Sequence, residues 1–179
     1  MSPTRTTVRR HYLAYGGPIG SPPQGALVTD TPHHARLTSL PPEVPAWRAL
    51  YRLVGDAWHW HDRDAWSDER LAAHLARPAV RVFTVRCAID GTPLDHAGLV
   101  ELERHDDGSV EIAYLGLAAP AIGRGLGRWL VHAAVAEAQH LGTTRIWLHT
   151  CTLDHPAALR NYEQCGFRIE REEQYEVDI

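Results

Sequence analysis

The stretch Glu111–Gly127, EIAYLGLAAPAIGRGLG, runs a strand-like segment straight into Gly123, Gly125 and Gly127 and then into an Ala-rich segment. Glycines let the backbone approach a ligand and expose its N–H groups, and a helix N-terminus adds partial positive charge. The arrangement therefore predicts an anion cradle suited to a phosphate. A glycine-rich turn that only reverses the chain is the plainer reading, and the flanking elements decide between the two. Two familiar cradles are excluded. There is no P-loop pattern, and the 18 basic residues are all Arg, so no Lys can complete one. The glycines alternate as GRGLG rather than GxGxxG, and the strand before them belongs to an antiparallel set. ATP, GTP and NAD recede as ligands.

Upstream, Val80–Ile89, a turn at Asp90-Gly91, His96–Arg104, a turn at Asp106–Gly108 and Ser109–Leu117 read as an antiparallel meander. Downstream, a helix over Arg124–Leu141 has Leu126, Leu130, Ala134 and Leu141 on one side and stops at Gly142. A strand over Arg145–Thr150 follows. Strand, crossover helix and strand suit a parallel pair, so the sheet is expected to be mixed and mostly antiparallel. Asp154 or His155 is expected to cap a last helix, with Pro156 in its first turn, running through Tyr162 and ending at Gly166. Phe167–Val177 closes the chain as one strand or two.

Nearer the start, Trp47, Leu50, Tyr51, Val54 and Trp58 recur at steps of three and four and predict an amphipathic helix over Pro45–Trp58. Ser67 is placed to cap a second, short helix that begins with Asp68 and Glu69 and ends before Pro78. Between the two helices lies WHWHDRDAW. Residues 1–25 read as an N-terminal extension, with a short edge strand at His11–Tyr15 and a Gly/Pro loop over Gly16–Gln24. Residues 26–179 form the α/β domain.

With 179 residues, 44% hydrophobic and 22% charged, the chain has the composition of one folded domain. A net charge of −4 and a pI near 6.3 argue against nucleic acid as a partner, because a phosphate-tracking surface needs a basic stripe. No apolar run of ~18 residues marks a membrane span. Cys87, Cys151 and Cys165 are odd in number and lack CxxC spacing, which encodes neither a disulfide framework nor a zinc site and points to a reducing cytoplasm.

The glycine stretch resembles the pyrophosphate motif of the GNAT superfamily of acyl-CoA-dependent N-acyltransferases: Gln or Arg, two residues, Gly, one residue, then Gly or Ala. Ile122-Gly123-Arg124-Gly125-Leu126-Gly127 matches both glycines and puts Ile at the first position. A second match is Ala158 through Tyr162 to Gly166-Phe167, similar to the family's A-x-x-x-Y-x-x-x-G-F. The resemblance implies an α/β fold with splayed central strands and about four helices, with acetyl-CoA as donor and no metal. It implies an acceptor that is the primary amine of a small molecule or amino-acid-like compound. A non-catalytic acyl-CoA sensor and an enzyme acting on a protein N-terminus are the alternatives, and a homodimer is left open.

Residue by residue, the resemblance implies a cofactor cradle from Gly123, Arg124, Gly125, Leu126, Gly127 and Arg128, with backbone at Leu117 and Ala118 bonding the pantetheine arm. His155 stands where many members have Asn, on the cofactor side. Glu111 lies fourteen residues before Gly125, the spacing of the family's general base, and Tyr162 occupies its general-acid position. The structural alternatives are a Glu bonded on a sheet face and a Tyr that only packs. Trp58, His59, Trp60 and Asp62 fall where an acceptor pocket is usually built, and aromatic faces with a carboxylate suit a cationic amine. Trp58 alternatively completes the core face of its helix. His149 reads as a second base or as a bonded strand histidine. His59-x-His61 has metal-like spacing, but no matching Cys or carboxylate set completes a tetrahedral site.

Overall fold

The computed structural model describes residues 5–20 and 31–178. The expected loop at Gly16–Gln24 is described only as far as Gly20, and its remainder and the boundary at residue 25 lie outside the described residues. In chain order the elements are β1 (Arg5–Tyr15), β2 (Arg36–Ser39), α1 (Val44–Gly55), α2 (Asp68–Leu75), β3 (Val80–Ile89) and β4 (Thr92–Leu94), then β5 (Gly98–Arg104) and β6 (Ser109–Leu117). They continue with α3 (Leu126–His140), β7 (Arg145–Cys151), α4 (Ala158–Gln164) and β8 (Phe167–Asp178). The strands form one sheet in the order β2-β3-β5-β6-β7-β1-β8, with β4 paired to β3. The mixed α/β architecture is the expected one: among the described residues, every neighbouring pair of strands is antiparallel except β6 with β7.

Two apolar clusters sandwich the sheet. The alternation of β5 sends Val100 and Leu102 to one face, where they pack with Leu126, Leu130 and Ala134 of α3. It sends Leu99 to the other, against Trp47, Leu50, Tyr51 and Val54 of α1 and Leu71 of α2. Ser67 caps α2 by accepting from the N–H of Arg70, as the sequence predicts.

Three expectations are corrected. The strand at the N-terminus is neither short nor at an edge, since β1 runs eleven residues and lies between β7 and β8. Its polar residues are held by an acidic partner strand: Thr7 donates to Glu176 at 2.6 Å, His11 Nδ1 lies 2.8 Å from Glu172, and Tyr12 donates to Glu173 at 2.6 Å. Pairing with charge complementarity across the sheet thus takes the place of a hydrophobic pattern. α3 starts at Leu126 rather than Arg124, because Gly123 and Gly125 hold positive φ. α4 starts at Ala158 without a side-chain cap; Asp154 instead accepts from Thr150 Oγ1 at 2.6 Å and Cys151 N at 2.9 Å, closing the turn after β7.

Candidate active site

The parallel pair β6–β7 is matched only from Ser109↔Arg145 to Glu111↔Trp147. Beyond Glu111, β6 stays with β5 as far as Leu117 and β7 stays with β1 as far as Cys151, so the two central strands part. The divergence begins at a bulge. Leu102 faces Ile112 but Glu101 faces Tyr114, which leaves Ala113 as the extra residue that bends β6. A cavity of about 1070 Å³ opens along the splay.

The bend also settles which backbone groups are free. Ala118 N–H donates to Ala97 at 2.9 Å and Ala118 is buried, so the sequence-based assignment of its amide to a ligand is corrected: the sheet already uses it. By the alternation of antiparallel bonds, the pairs Gly98↔Leu117 and Val100↔Leu115 turn the N–H and C=O of Leu117 and Leu115 away from β5 and into the splay. Both leucines line the cavity.

At the far end of the cavity stands the glycine turn. Gly123 and Gly125 adopt φ of 75° and 78°, and a Cβ built on either meets nothing within 4 Å, so the surface above them is open. Gly125 is the N-cap of the fifteen-residue α3, which has no side-chain cap, so the first-turn N–H groups stay available to an anion. Gly123, Gly125, Gly127 and Arg128 line the cavity. Arg124 and Leu126 contribute differently from the sequence-based expectation. The Arg124 guanidinium turns outward to Asp90, 3.0 Å away, while Leu126 is fully buried under α3. A Val at 125 would be forced into a left-handed conformation costing about 1–3 kcal/mol and would fill the open surface. Gly125→Val is therefore expected to weaken acetyl-CoA binding ~100-fold or more, with Tm lowered by only a few degrees; unchanged affinity by calorimetry would remove the cradle from the site.

Glu111 sits at the foot of the splay with its side chain 15% exposed. His105 Nε2 lies 3.2 Å from its Oε2, and the His105 ring stacks on Trp147 at 5.7 Å. His149 Nε2 lies 3.9 Å from its Oε1. His149, not Glu111, lines the cavity. Burial raises the Glu111 carboxyl above the ordinary carboxylate range against the pull of His105. Burial, aided by the charge of Arg10, lowers His149. A basic carboxylate behind a neutral imidazole is suited to draw a proton from the cleft. His105 was missed from sequence; the only signal was its place across the Asp106–Gly108 turn from β6, where His105 N–H donates to Ser109.

Tyr162 of α4 lines the cavity although the residue is only 8% exposed. Burial, with the nearby Asp154 charge, pushes its phenol well above the usual value, so it stays protonated throughout the neutral range. His155 also lines the cavity; its Nδ1 accepts from Ala157 N at 3.1 Å, and its ring meets Trp58 edge-on at 5.0 Å. Trp58 is not a core residue of α1: the helix ends at Gly55 and a 3-10 turn carries Trp58 to the cavity wall.

His59, Trp60, His61 and Asp62 line the same wall. Trp60 packs on Tyr51 and Tyr114 at 5.8 and 5.1 Å. Gly116 admits this packing, because a Cβ there would lie 2.6 Å from Val54 Cγ1 and 3.2 Å from Trp60. The loop is anchored by Arg63, whose guanidinium donates to the fully buried Glu101 at 2.6 Å and lies 4.9 Å from the Tyr114 ring centre. Among the described residues, no cluster of three or more His, Cys, Asp or Glu is disposed to hold a metal, and no helix is long and apolar enough to cross a membrane.

A splayed mixed sheet with an open helix N-terminus at one end of its cleft and titratable groups at the other defines the acyltransferase class of fold and site. The chain belongs to the acetyltransferase (GNAT) family, whose family model matches residues 47–167. It is 32% identical over 123 residues to the mycothiol acetyltransferase of Corynebacterium efficiens, covering 68% of this chain and 40% of that protein. It is 31% identical over 123 residues to the mycothiol acetyltransferase of Mycobacteroides abscessus, covering 67% of this chain and 41% of that protein. The chain thus spans about two fifths of the length of these curated relatives. A GCN5-related N-acetyltransferase from Kribbella flavida matches in structure with a TM-score of 0.60 at 22% identity, over 96% of this chain and 58% of that one, and shows the same fold.

Proposed function

We propose that the protein transfers an acetyl group from acetyl-CoA to the primary amine of a small molecule in the reducing cytoplasm. The observation that carries this reading is the joining, in one cleft, of an open glycine cradle at the α3 N-terminus with the His149–Glu111 pair at the foot of the splay. The cradle backbone at Gly123, Gly125 and Gly127, with Arg128 beside it, fits a pyrophosphate, and the free edge of Leu115 and Leu117 fits an amide-bearing arm. Bound there, acetyl-CoA supplies an activated thioester carbonyl.

The chain's own groups account for the rest. An amine entering past Trp58 and Asp62 is an ammonium at neutral pH and cannot attack until it loses a proton. His149 faces it and, being neutral, accepts that proton, which Glu111 stabilises from behind directly or through water. An N–H at the edge of β6 donates to the carbonyl oxygen as it gains charge. As the C–N bond forms and the C–S bond breaks, the attacking nitrogen sheds its second proton, which ends on the sulfur as the free thiol of CoA, and the Tyr162 hydroxyl donates to that departing sulfur. Because burial holds this phenol high, it acts as a hydrogen-bond donor to developing charge and needs no full ionisation of its own.

The test is release of free thiol from acetyl-CoA across a panel of amines. Amine-dependent release above background supports transfer, and acetyl-CoA binding without release for any amine supports a sensor. Within an active pair, Tyr162→Phe is expected to lower kcat ~100-fold with little change in KM for acetyl-CoA, the pattern of an interaction made only in the transition state. A kcat within twofold of wild type, with chemistry limiting, assigns Tyr162 to packing.

A further inference from the structure

Beyond the cradle and the base, the cleft holds a cation that the transfer reaction does not use. Arg10 lies on β1 opposite Cys151, two pairs along from Tyr12↔His149 and so on the same face of the sheet, and lines the cavity. Its guanidinium is fixed in place: Nη2 donates to Tyr175 Oη at 3.0 Å, and the group lies 4.8 Å from the centre of the Tyr175 ring. Its hydroxyl neighbours favour the cation, but among the described residues no carboxylate pairs with it closely. Nε is buried without a hydrogen-bond partner, and the nearest carboxylate, Glu173, lies 3.7 Å away. That carboxylate already accepts from Tyr12 at 2.6 Å and from Arg171 at 2.8 Å. With its side chain 27% exposed in the cleft wall, the guanidinium stays open to an anion that enters there.

Resting on the acetyltransferase reading above, we propose that the acceptor is a zwitterion, an amine carrying its own carboxylate as in a free amino acid, and that Arg10 takes the carboxylate. The backbone positions of diagonal cross-strand neighbours such as Arg10 and His149 lie about 7–8 Å apart. An α-amine and its carboxylate oxygen are about 3 Å apart from covalent geometry, so with a hydrogen bond of ~2.9 Å at each end a small zwitterion joins polar heads about 9 Å apart, a separation that long side chains reach from these two backbone positions. A planar guanidinium suits a carboxylate in two-point fashion. Asp62, on the facing loop and also in the cavity wall, balances the arrangement by drawing the ammonium end. Arg10 and Asp62 act on His149 with opposite sign, which places the imidazole in the field of both.

Matched pairs that differ only in the carboxylate test this: phenylalanine against phenethylamine, and tryptophan against tryptamine, each with acetyl-CoA and read by thiol release. The wild type is expected to show kcat/KM at least ~10-fold higher for the acid-bearing member of a pair, carried mainly by KM. In Arg10→Gln that ratio is expected to fall to about one, and in Arg10→Lys to be partly kept. No preference in the wild type, or a preference that survives in Arg10→Gln, overturns the proposal. If Arg10→Gln does not fold, the wild-type and Arg10→Lys ratios decide. Should thiol release fail with every amine, transfer itself is at fault. Calorimetry of phenylalanine against phenethylamine on the CoA-bound protein then reads the site alone, and equal binding of the two overturns the proposal.

Discussion

Glu101→Gln is expected to lower the unfolding free energy by about 3–5 kcal/mol, measured by urea denaturation, a large share of the 5–15 kcal/mol that holds a typical domain. Glu101 is fully buried and accepts from Trp47 Nε1 at 2.8 Å and Arg63 at 2.6 Å, and His74 Nε2 lies 2.9 Å away. These groups come from α1, the loop after it, and α2, so one carboxylate ties three segments to β5. Its removal leaves the Arg63 cation buried without a counter-charge. Burial alone would raise this carboxyl, but the bonds from His74, Arg63 and Trp47 together bring it below the ordinary value. A folded-state value below the unfolded one means that the stabilisation is present above the unfolded pKa of about 4.3 and is lost as pH falls through the folded value. The wild type should therefore lose stability on acidification below about pH 4 more steeply than Glu101→Gln. A double replacement, Glu101→Leu with Arg63→Met, is expected to cost less than the two single changes added together. A single variant within ~0.5 kcal/mol of wild type contradicts the assignment.

The network also reaches the cleft. Arg63 lies over the rings of Trp66 and Tyr114, at 4.8 and 4.9 Å from their centres, and stands one residue after Asp62 and three after Trp60 in the chain. Loosening it is expected to disturb acceptor binding before donor binding, because the glycine cradle belongs to α3 on the opposite face of the sheet.

Most of the architecture was legible because it rests on local signals: the three- and four-residue steps of α1, the Ser67 cap, the turns at Asp90-Gly91 and Asp106–Gly108, and glycines at 123 and 125. What could not be read depends on partners distant in sequence. β1 looks like a polar extension until the acidic β8 is laid beside it, as in the Arg10 to Tyr175 bond across 165 residues. The bulge at Ala113 leaves no mark in the pattern, because neighbouring residues of β6 pack on both faces of the sheet and no polar/apolar alternation breaks there. The use of the Ala118 amide by Ala97, and the freedom of Leu115 and Leu117, follow from that register alone. The site shows the same division. Gly125 and Tyr162 stand in motifs, whereas His105 and Arg10 gain meaning only from the carboxylate and imidazole they face.

Glu111→Gln is expected to reduce kcat/KM for the amine ~100-fold or more at pH 7, the scale of a lost general base. The substitution keeps shape and can still hydrogen-bond His105, so fold and acetyl-CoA affinity serve as controls. Because burial raises the Glu111 carboxyl, the wild-type rate should climb with pH on an acid limb displaced above the usual carboxylate range, as the base becomes ionised. In Glu111→Gln that limb should vanish, and the deficit should shrink at high pH, where the amine loses its proton unaided. His149 lies between Glu111 and the cleft, with 3.9 Å separating Nε2 from Oε1. If the two act as one relay, His149→Asn should cost nearly as much as Glu111→Gln, and the double variant little more than either. Additive losses would mean independent roles, with water rather than the imidazole carrying the proton to Glu111. An unaffected rate at pH 7 would leave Glu111 a sheet-face carboxylate bonded to His105 and return the proton to solvent.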